Sequence, residues 1–140
     1  MPKRSRLKNG TIVFEDFPKF RPNLTPKEVF QMGSFGGTYY RPIYSTITKK
    51  NYKNPHLEYP KNWFTGLDIE TQVASSICRP SLNKYKVKSG QSLRAWEESG
   101  WIKPQDPYGW FQWYCRFYMG RRIKEEDDRQ ISRWLGLGRF

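Results

Sequence analysis

One run of aromatic residues restricts what this chain can fold into more than any other feature. Residues 107–119 read Pro-Tyr-Gly-Trp-Phe-Gln-Trp-Tyr-Cys-Arg-Phe-Tyr-Met. At 100° per residue, aromatic and apolar side chains cover nearly the whole circumference of a helix, leaving a narrow wedge for Gly109, Gln112 and Arg116. Such a helix is typical of a protein interior, and at roughly 20 Å it is too short to cross a bilayer. The run therefore predicts a buried central helix over 107–119.

The residues that flank this run predict its ends. Asp106 suits the N-cap, and Pro107 suits the first helical position, where a missing N–H costs nothing. Gly120 suits the left-handed residue that follows a helix. Cys115, inside the run, is most simply a small buried side chain.

Other helix signals lie on both sides of the aromatic run. Thr25-Pro-Lys-Glu28 has the pattern of a capping box and predicts a short helix that ends at Gly33. Asp68 is placed to cap a helix over 69–78, and a further helix is expected to begin at Ser89 or Ser92. Four acidic residues at 125–128 suit the first turn of a last helix, because the helix dipole favours negative charge there.

Strand signals are confined to the first half of the chain. Residues 11–14 form one short candidate, and aromatic and β-branched residues after Gly36-Gly37 form another, which Pro42 limits to an edge or a bend. We therefore predict a small α+β domain with about four helices around the aromatic central helix and a short sheet. Residues 1–10 are expected to be a flexible basic tail and residues 11–140 a single globular domain.

The net charge is the most informative bulk property. The 140 residues carry a formal charge of +12, and residues 1–53 hold 11 basic against 3 acidic side chains. Such a surplus favours polyanions: nucleic acid first, then acidic protein or anionic membrane. Residues 79–94 add five basic residues and no acidic one. No apolar segment follows the basic N-terminus, so we expect an intracellular protein, cytoplasmic or nuclear, with no membrane span.

Catalytic, metal and cofactor signals are weak. The chain has two cysteines and a single histidine, His56, which fit neither a disulfide framework nor a four-ligand zinc site. No nucleophile elbow, Walker loop or zinc-protease motif is present. We predict no catalytic residue, no metal and no cofactor. An enzyme that acts on nucleic acid stays an alternative, with His56 or the Glu15-Asp16 pair as its polar group.

Basic and aromatic residues alternate in the part of the chain that carries most of the charge. Aromatic faces can stack on bases while lysine and arginine neutralise phosphates. We expect Lys49–Pro55 to be a basic loop, and Lys84, Lys86 and Lys88 to be a second patch. The predicted nucleic-acid-binding residues are Arg41, Lys49, Lys50, Tyr52, Lys53, Lys84, Lys86 and Lys88. The same surface could instead bind an acidic protein partner, so an adaptor or structural role is the alternative. Whether the tyrosines face solvent or pack inward is left open by the pattern.

Two segments carry a resemblance to known proteins. Gly36-Gly-Thr-Tyr-Tyr-Arg-Pro-Ile-Tyr44 and Gly109-Trp-Phe-Gln-Trp-Tyr-Cys-Arg-Phe-Tyr-Met-Gly-Arg-Arg122 resemble a family of small, uncharacterised, aromatic-rich basic proteins of eukaryotes and large DNA viruses. The similarity extends over residues 11–135. It implies no activity, and it implies only that the two segments are parts of one compact domain.

Overall fold

The computed structural model describes residues 4–32, 39–74, 97, 100 and 102–137. These residues form short strands and helices. In chain order they are β1 (Arg4–Arg6), β2 (Ile12–Phe14), α1 (Pro26–Gln31), β3 (Ile43–Ser45), β4 (Lys50–Tyr52), two 3-10 helices (Pro55–Glu58 and Lys61–Phe64), α2 (Ile69–Gln72), α3 (Trp110–Tyr118) and α4 (Lys124–Leu137). The fold class is α+β, as predicted. In the described residues three α-helices exceed one turn, rather than about four, because α2 is a single turn.

The chain divides into two compact units. The terminal unit comprises Met1–Pro26 and Tyr114–Phe140, and the middle unit comprises Lys27–Trp113. The first four residues of α3 therefore belong to the middle unit and the rest to the terminal unit. The expectation of one globular domain over 11–140 stays a prediction.

The terminal unit begins with an antiparallel hairpin. Arg4 pairs with Phe14 and Arg6 with Ile12, and the Leu7 N–H donates to the Thr11 carbonyl at 2.8 Å. The sequence predicts a flexible tail over 1–10, whereas these bonds pair residues 4–7 with β2 and with Thr11. The strand predicted at 11–14 is confirmed as β2.

Three phenylalanines form the core of the terminal unit. The Phe117 ring of α3 lies 4.8 Å from the Phe14 ring and 5.6 Å from the Phe20 ring, centroid to centroid. All three side chains are fully buried. Trp134 of α4 adds an edge-on contact to Phe20 at 5.0 Å. Because each buried aromatic removes roughly 150–250 Å² from water, a few such residues give a small unit a sizeable apolar core.

Phe30 is the centre of a second aromatic cluster, in the middle unit. Its ring lies 4.7 Å from Tyr39, 4.7 Å from Phe64 and 5.1 Å from Phe111. Phe64 and its neighbour Trp63 are buried on the second 3-10 helix, so this turn holds both rings inward. α1 begins at Pro26 as predicted, whereas the predicted stop, Gly33, lies outside the described residues.

The aromatic helix starts later than predicted. α3 begins at Trp110 because Gly109 has φ +98°, which lies outside the helical region and stops the helix from extending back to Pro107. Gln112 is buried although the sequence places it on the wedge that lacks aromatic residues. Its side chain accepts the Tyr108 N–H at 3.0 Å, so this buried polar group has a partner. Asp106 is also buried, and its carbonyl accepts the Gly109 N–H at 2.9 Å.

The end of α3 agrees with the sequence. Gly120 has φ +109°, its N–H donates to the Phe117 carbonyl at 2.9 Å, and the Arg121 N–H donates to the Arg116 carbonyl at 3.0 Å. This pair of bonds is a Schellman motif, which satisfies carbonyls that the helix leaves open. Cys115 is buried, as expected.

The predicted starts of α2 and α4 are confirmed, whereas the later residues of both helices differ from the prediction or lie outside the described residues. The Asp68 carboxylate accepts the Glu70 N–H at 3.2 Å, so it caps α2. That helix ends at Gln72, and residues 75–78 of the predicted helix lie outside the described residues. α4 carries acidic residues in its first turn. The sequence predicts an inner face of Ile131, Trp134 and Leu135. Ile131 is buried and Trp134 is half-buried, whereas Leu135 is 46% exposed. The helix predicted from Ser89 or Ser92 lies almost wholly outside the described residues.

Candidate nucleic-acid interface

The predicted binding residues between 41 and 53 lie on and around one hairpin of the middle unit. β3 and β4 pair antiparallel, with Tyr44 opposite Asn51 and Ser45 opposite Lys50. Lys50–Tyr52 is therefore a strand, and the prediction of a loop over 49–55 was wrong for these residues. Residues 46–49 form the turn, which the Lys49 N–H closes by donating to the Ser45 carbonyl at 2.8 Å.

The two faces of β3 differ in exposure. Ile43 and Ser45 are buried, whereas Tyr44 between them is 54% exposed. Side chains alternate between the faces of a strand, so Tyr44 shares the open face with its cross-strand partner Asn51, which is also exposed. The sequence-based prediction did not include Tyr44 among the binding residues. The short Ile-Tyr-Ser alternation was the signal that could have found it.

Three lysines surround the turn and the end of β4. Lys49, Lys50 and Lys53 are all exposed, and the sequence has no acidic residue from 29 to 57. One carboxylate does lie against this hairpin, because buried Glu97 accepts the Thr46 N–H at 3.1 Å. That carboxylate fixes the turn from the inside, whereas the lysines are in solvent.

Tyr52 occupies a different environment from the one expected of a stacking residue. Its side chain is half-buried, its hydroxyl donates to Thr48 Oγ1 at 3.0 Å, and its ring lies 6.4 Å from the Tyr108 ring. These contacts brace the hairpin from within. Tyr44 thus presents far more open aromatic surface than Tyr52.

Arg41 is the fourth predicted cation near the hairpin. It is half-buried, and its backbone carbonyl accepts the Tyr108 hydroxyl at 2.6 Å. Burial raises the pKa of Tyr108 to about 12, with smaller effects from Arg41, which lowers it, and Tyr52, which raises it. Burial also lowers the pKa of Arg41, but a guanidinium stays protonated in proteins. Arg41 therefore adds positive charge at the base of the hairpin.

The second predicted patch, Lys84, Lys86 and Lys88, lies outside the described residues. Its relation to the hairpin stays a prediction.

Two arginines of the terminal unit, Arg122 and Arg4, are held in structural contacts instead. The Arg122 guanidinium donates to Asp16 Oδ2 at 2.6 Å and to the Phe117 carbonyl at 2.7 Å, and lies 3.7 Å from the Phe117 ring centroid. The hydrogen bond from Arg122 lowers the pKa of Asp16, and burial opposes this only in part. Arg4 lies over the Tyr118 ring at 4.1 Å. These contacts give Arg122 and Arg4 structural roles that need no ligand.

Asp16 and His56, the polar groups considered for catalysis, lie in surroundings that do not favour a catalytic role. Asp16 is held as a carboxylate by Arg122, so it is poorly suited to hold or transfer a proton at neutral pH. His56 is half-buried, its ring lies edge-on to Phe64 at 5.8 Å, and burial lowers its pKa. It borders a mainly apolar cavity of about 310 Å³. Among the described residues its Nδ1 has no hydrogen-bond partner, whereas a catalytic base is normally oriented by one.

The acidic group at the start of α4 is engaged within the helix. Glu126 accepts two bonds from Arg129, at 2.6 and 2.9 Å, and the Asp127 carboxylate accepts the Ile123 N–H at 2.9 Å. Asp128 pairs with Lys124 at 3.2 Å. Across the described ranges, no three histidine, cysteine or acidic side chains come together as a metal site would require.

The fold and the hairpin define a small α+β protein with a basic surface around an open tyrosine ring. The chain matches no protein-family model, no curated protein and no solved structure. The resemblance seen in the two aromatic segments stays a prediction. In the part of the chain that the structure describes, no helix is long and apolar enough to cross a membrane.

Proposed function

We propose that this protein is a non-enzymatic nucleic-acid-binding protein that uses the β3–β4 hairpin. The observation that carries the proposal is the open ring of Tyr44 on a hairpin bordered by exposed Lys49, Lys50 and Lys53. An aromatic face and a group of cations are the two components by which proteins hold nucleic acid without sequence readout. The same proposal includes an intracellular location for the protein, either cytoplasmic or nuclear.

The lysines act through phosphate neutralisation. Each cation that pairs with a phosphate releases condensed counterions, so the logarithm of affinity falls by about 0.9 per contact for each tenfold rise in salt on duplex DNA. Three lysines therefore contribute roughly 2–3 units to the salt slope. Because this part of binding is independent of sequence, we expect similar affinities for unrelated oligonucleotides.

The test replaces the three hairpin lysines together. Lys49, Lys50 and Lys53 are changed to Gln in the full chain, and binding to labelled DNA and RNA is measured by fluorescence anisotropy over a salt series. We expect weaker binding to all sequences and a salt slope lower by roughly 2–3 units.

A second triple variant provides the control. Lys8, Lys19 and Lys27 are also exposed, so changing them to Gln removes the same charge from other parts of the chain. If both triple variants lose affinity equally, binding reflects net charge and not the hairpin. If the wild type binds no oligonucleotide at low salt, the proposal fails.

An acidic protein partner is the second candidate, because the same lysines can pair with carboxylates. A polyglutamate peptide distinguishes the two. We expect the labelled oligonucleotide to be displaced only by a large excess of this peptide, since carboxylates offer no flat base for the tyrosine ring. Tight binding of polyglutamate together with weak oligonucleotide binding would favour the adaptor role.

A further inference from the structure

The exposure of Tyr44 bears on the kind of nucleic acid that the hairpin takes. We infer that the ligand is single-stranded nucleic acid and that Tyr44 stacks on one of its unpaired bases; this rests on the function proposed above. In a duplex, base faces are covered by their neighbours, so a protein ring stacks at least cost on a base that is unpaired and splayed out.

The open face of the hairpin leaves the ring accessible to a base. Tyr44 is 54% exposed and faces away from the buried side chains of Ile43 and Ser45. Its cross-strand partner is Asn51, and directly opposed side chains in a sheet have Cβ atoms about 4.5–5.5 Å apart. Asn51 is small and uncharged, so it leaves room beside the ring and does not repel the phosphates.

The hairpin beneath Tyr44 is fixed before any ligand arrives. Ser45 is fully buried, and its hydroxyl accepts the Thr48 N–H at 3.1 Å. Glu97 holds the Thr46 N–H on the other side of the turn. A platform ordered in advance loses little conformational freedom on binding, which favours affinity.

Exposed cations lie near the ring, at the turn and at the end of the neighbouring strand. Lys49 is the last residue of the turn, and Lys53 directly follows β4. Lys50 pairs with Ser45, so it begins on the face away from Tyr44. Because paired strands lie about 4.7–4.9 Å apart, the flexible side chains of Lys49 and Lys53 can reach phosphates beside a base that is stacked on Tyr44. The geometry thus combines one stacking ring with nearby charge.

The experiment compares one oligonucleotide as a single strand and as its annealed duplex. Tyr44→Ala in the full chain should weaken single-strand binding roughly 5- to 150-fold, as expected for loss of one base–aromatic stack, and should leave duplex binding nearly unchanged. Tyr44→Phe keeps the ring and should restore single-strand binding. Leu57→Ala removes another exposed apolar side chain of the same unit, 75% exposed, and serves as the matched control.

The outcomes separate this inference from the proposed function. Equal loss of single-strand and duplex binding in Tyr44→Ala, or no loss in either, overturns the stacking inference while hairpin binding by the lysines stands. A wild type that binds neither form overturns both. Circular dichroism checks that each variant is folded. Photocrosslinking of a bromouracil-substituted single strand gives an independent measurement: a crosslink within β3 supports the inference, and one confined to the terminal unit overturns it.

Discussion

Single side chains in the hairpin show how burial separates residues that look alike in sequence. Tyr40 is fully buried and hydrogen-bonded to the Tyr59 hydroxyl at 3.0 Å, whereas Tyr44, four residues later, is 54% exposed. Tyr52 is intermediate and braces the turn through Thr48. The same residue type thus serves as core before the hairpin and as candidate contact surface or support within it, depending on what packs against each ring.

The first prediction at this scale concerns Tyr108. Its folded pKa of about 12 exceeds the ordinary value of 10.0, mainly because burial disfavours the phenolate. The neutral phenol therefore contributes its full stabilisation below pH 10, and this contribution is lost as the pH rises towards 12. Tyr108→Phe removes the bond to the Arg41 carbonyl and should cost about 0.5–1.5 kcal/mol at neutral pH.

Two measurements check this prediction. Urea melts of both proteins should show their stability difference shrinking above pH 10. A spectrophotometric titration should lose one phenolate step near pH 12 in the variant. A lost step at the ordinary value of 10.0 would contradict the burial of Tyr108.

At the scale of elements, the start of α3 depends on one glycine. Gly109 has φ +98°, and a Cβ built on it would lie 3.0 Å from Ile102 Cδ1. The adjacent Tyr108 N–H is accepted by the Gln112 side chain, which anchors the first turn. The helix therefore begins where the backbone, rather than the aromatic pattern, permits it.

Gly109→Ala should destabilise the protein by about 1–3 kcal/mol, because an L-residue is strained at this φ and Ile102 must shift. Gly10 provides a control, since it has a similar φ of +94° and nothing within 4 Å of an added Cβ. Thermal melts of Gly10→Ala measure the backbone strain alone. A smaller loss in Gly109→Ala than in Gly10→Ala would contradict the close approach of Ile102.

At the scale of the whole molecule, each of the two units has an aromatic cluster among its described residues. Phe117 is at the centre of the terminal unit and Phe30 at the centre of the middle unit, and both are fully buried. Such clusters explain how a chain with a mean hydropathy of −0.88 can fold, because a few large rings replace many small aliphatic side chains.

Phe117→Ala and Phe30→Ala should each cost roughly 3–5 kcal/mol, because each leaves a cavity among packed rings. Urea melts followed by circular dichroism measure the loss. Leu57→Ala, at an exposed position, should change stability by less than about 0.5 kcal/mol. A loss below about 1 kcal/mol for either phenylalanine would mean that its cluster is not a core, since truncating a packed side chain of that size normally costs far more.

Features that depend on local chemistry could be predicted from the amino-acid sequence. These are the α+β class, the aromatic helix, the left-handed Gly120 at its end, the start of α1 at Pro26 and the cap at Asp68. A cap or a left-handed glycine acts within one turn of the chain, so neighbouring residues are enough to identify it. The charge concentrated in the first half is likewise evident from the residues alone.

Features that depend on distant residues emerge only from the tertiary fold. Lys50–Tyr52 is a strand because it pairs with β3. The residues of this segment do not reveal that pairing, and their composition alone predicts a loop. The structural role of Arg122 is hidden in the sequence because Asp16, its partner, lies 106 residues away. Tyr44 and Tyr52 differ in exposure because the packing of their neighbours covers one face of the hairpin and leaves the other open. Burial is a property of what packs against a residue, and for these residues the packing partners come from other parts of the chain.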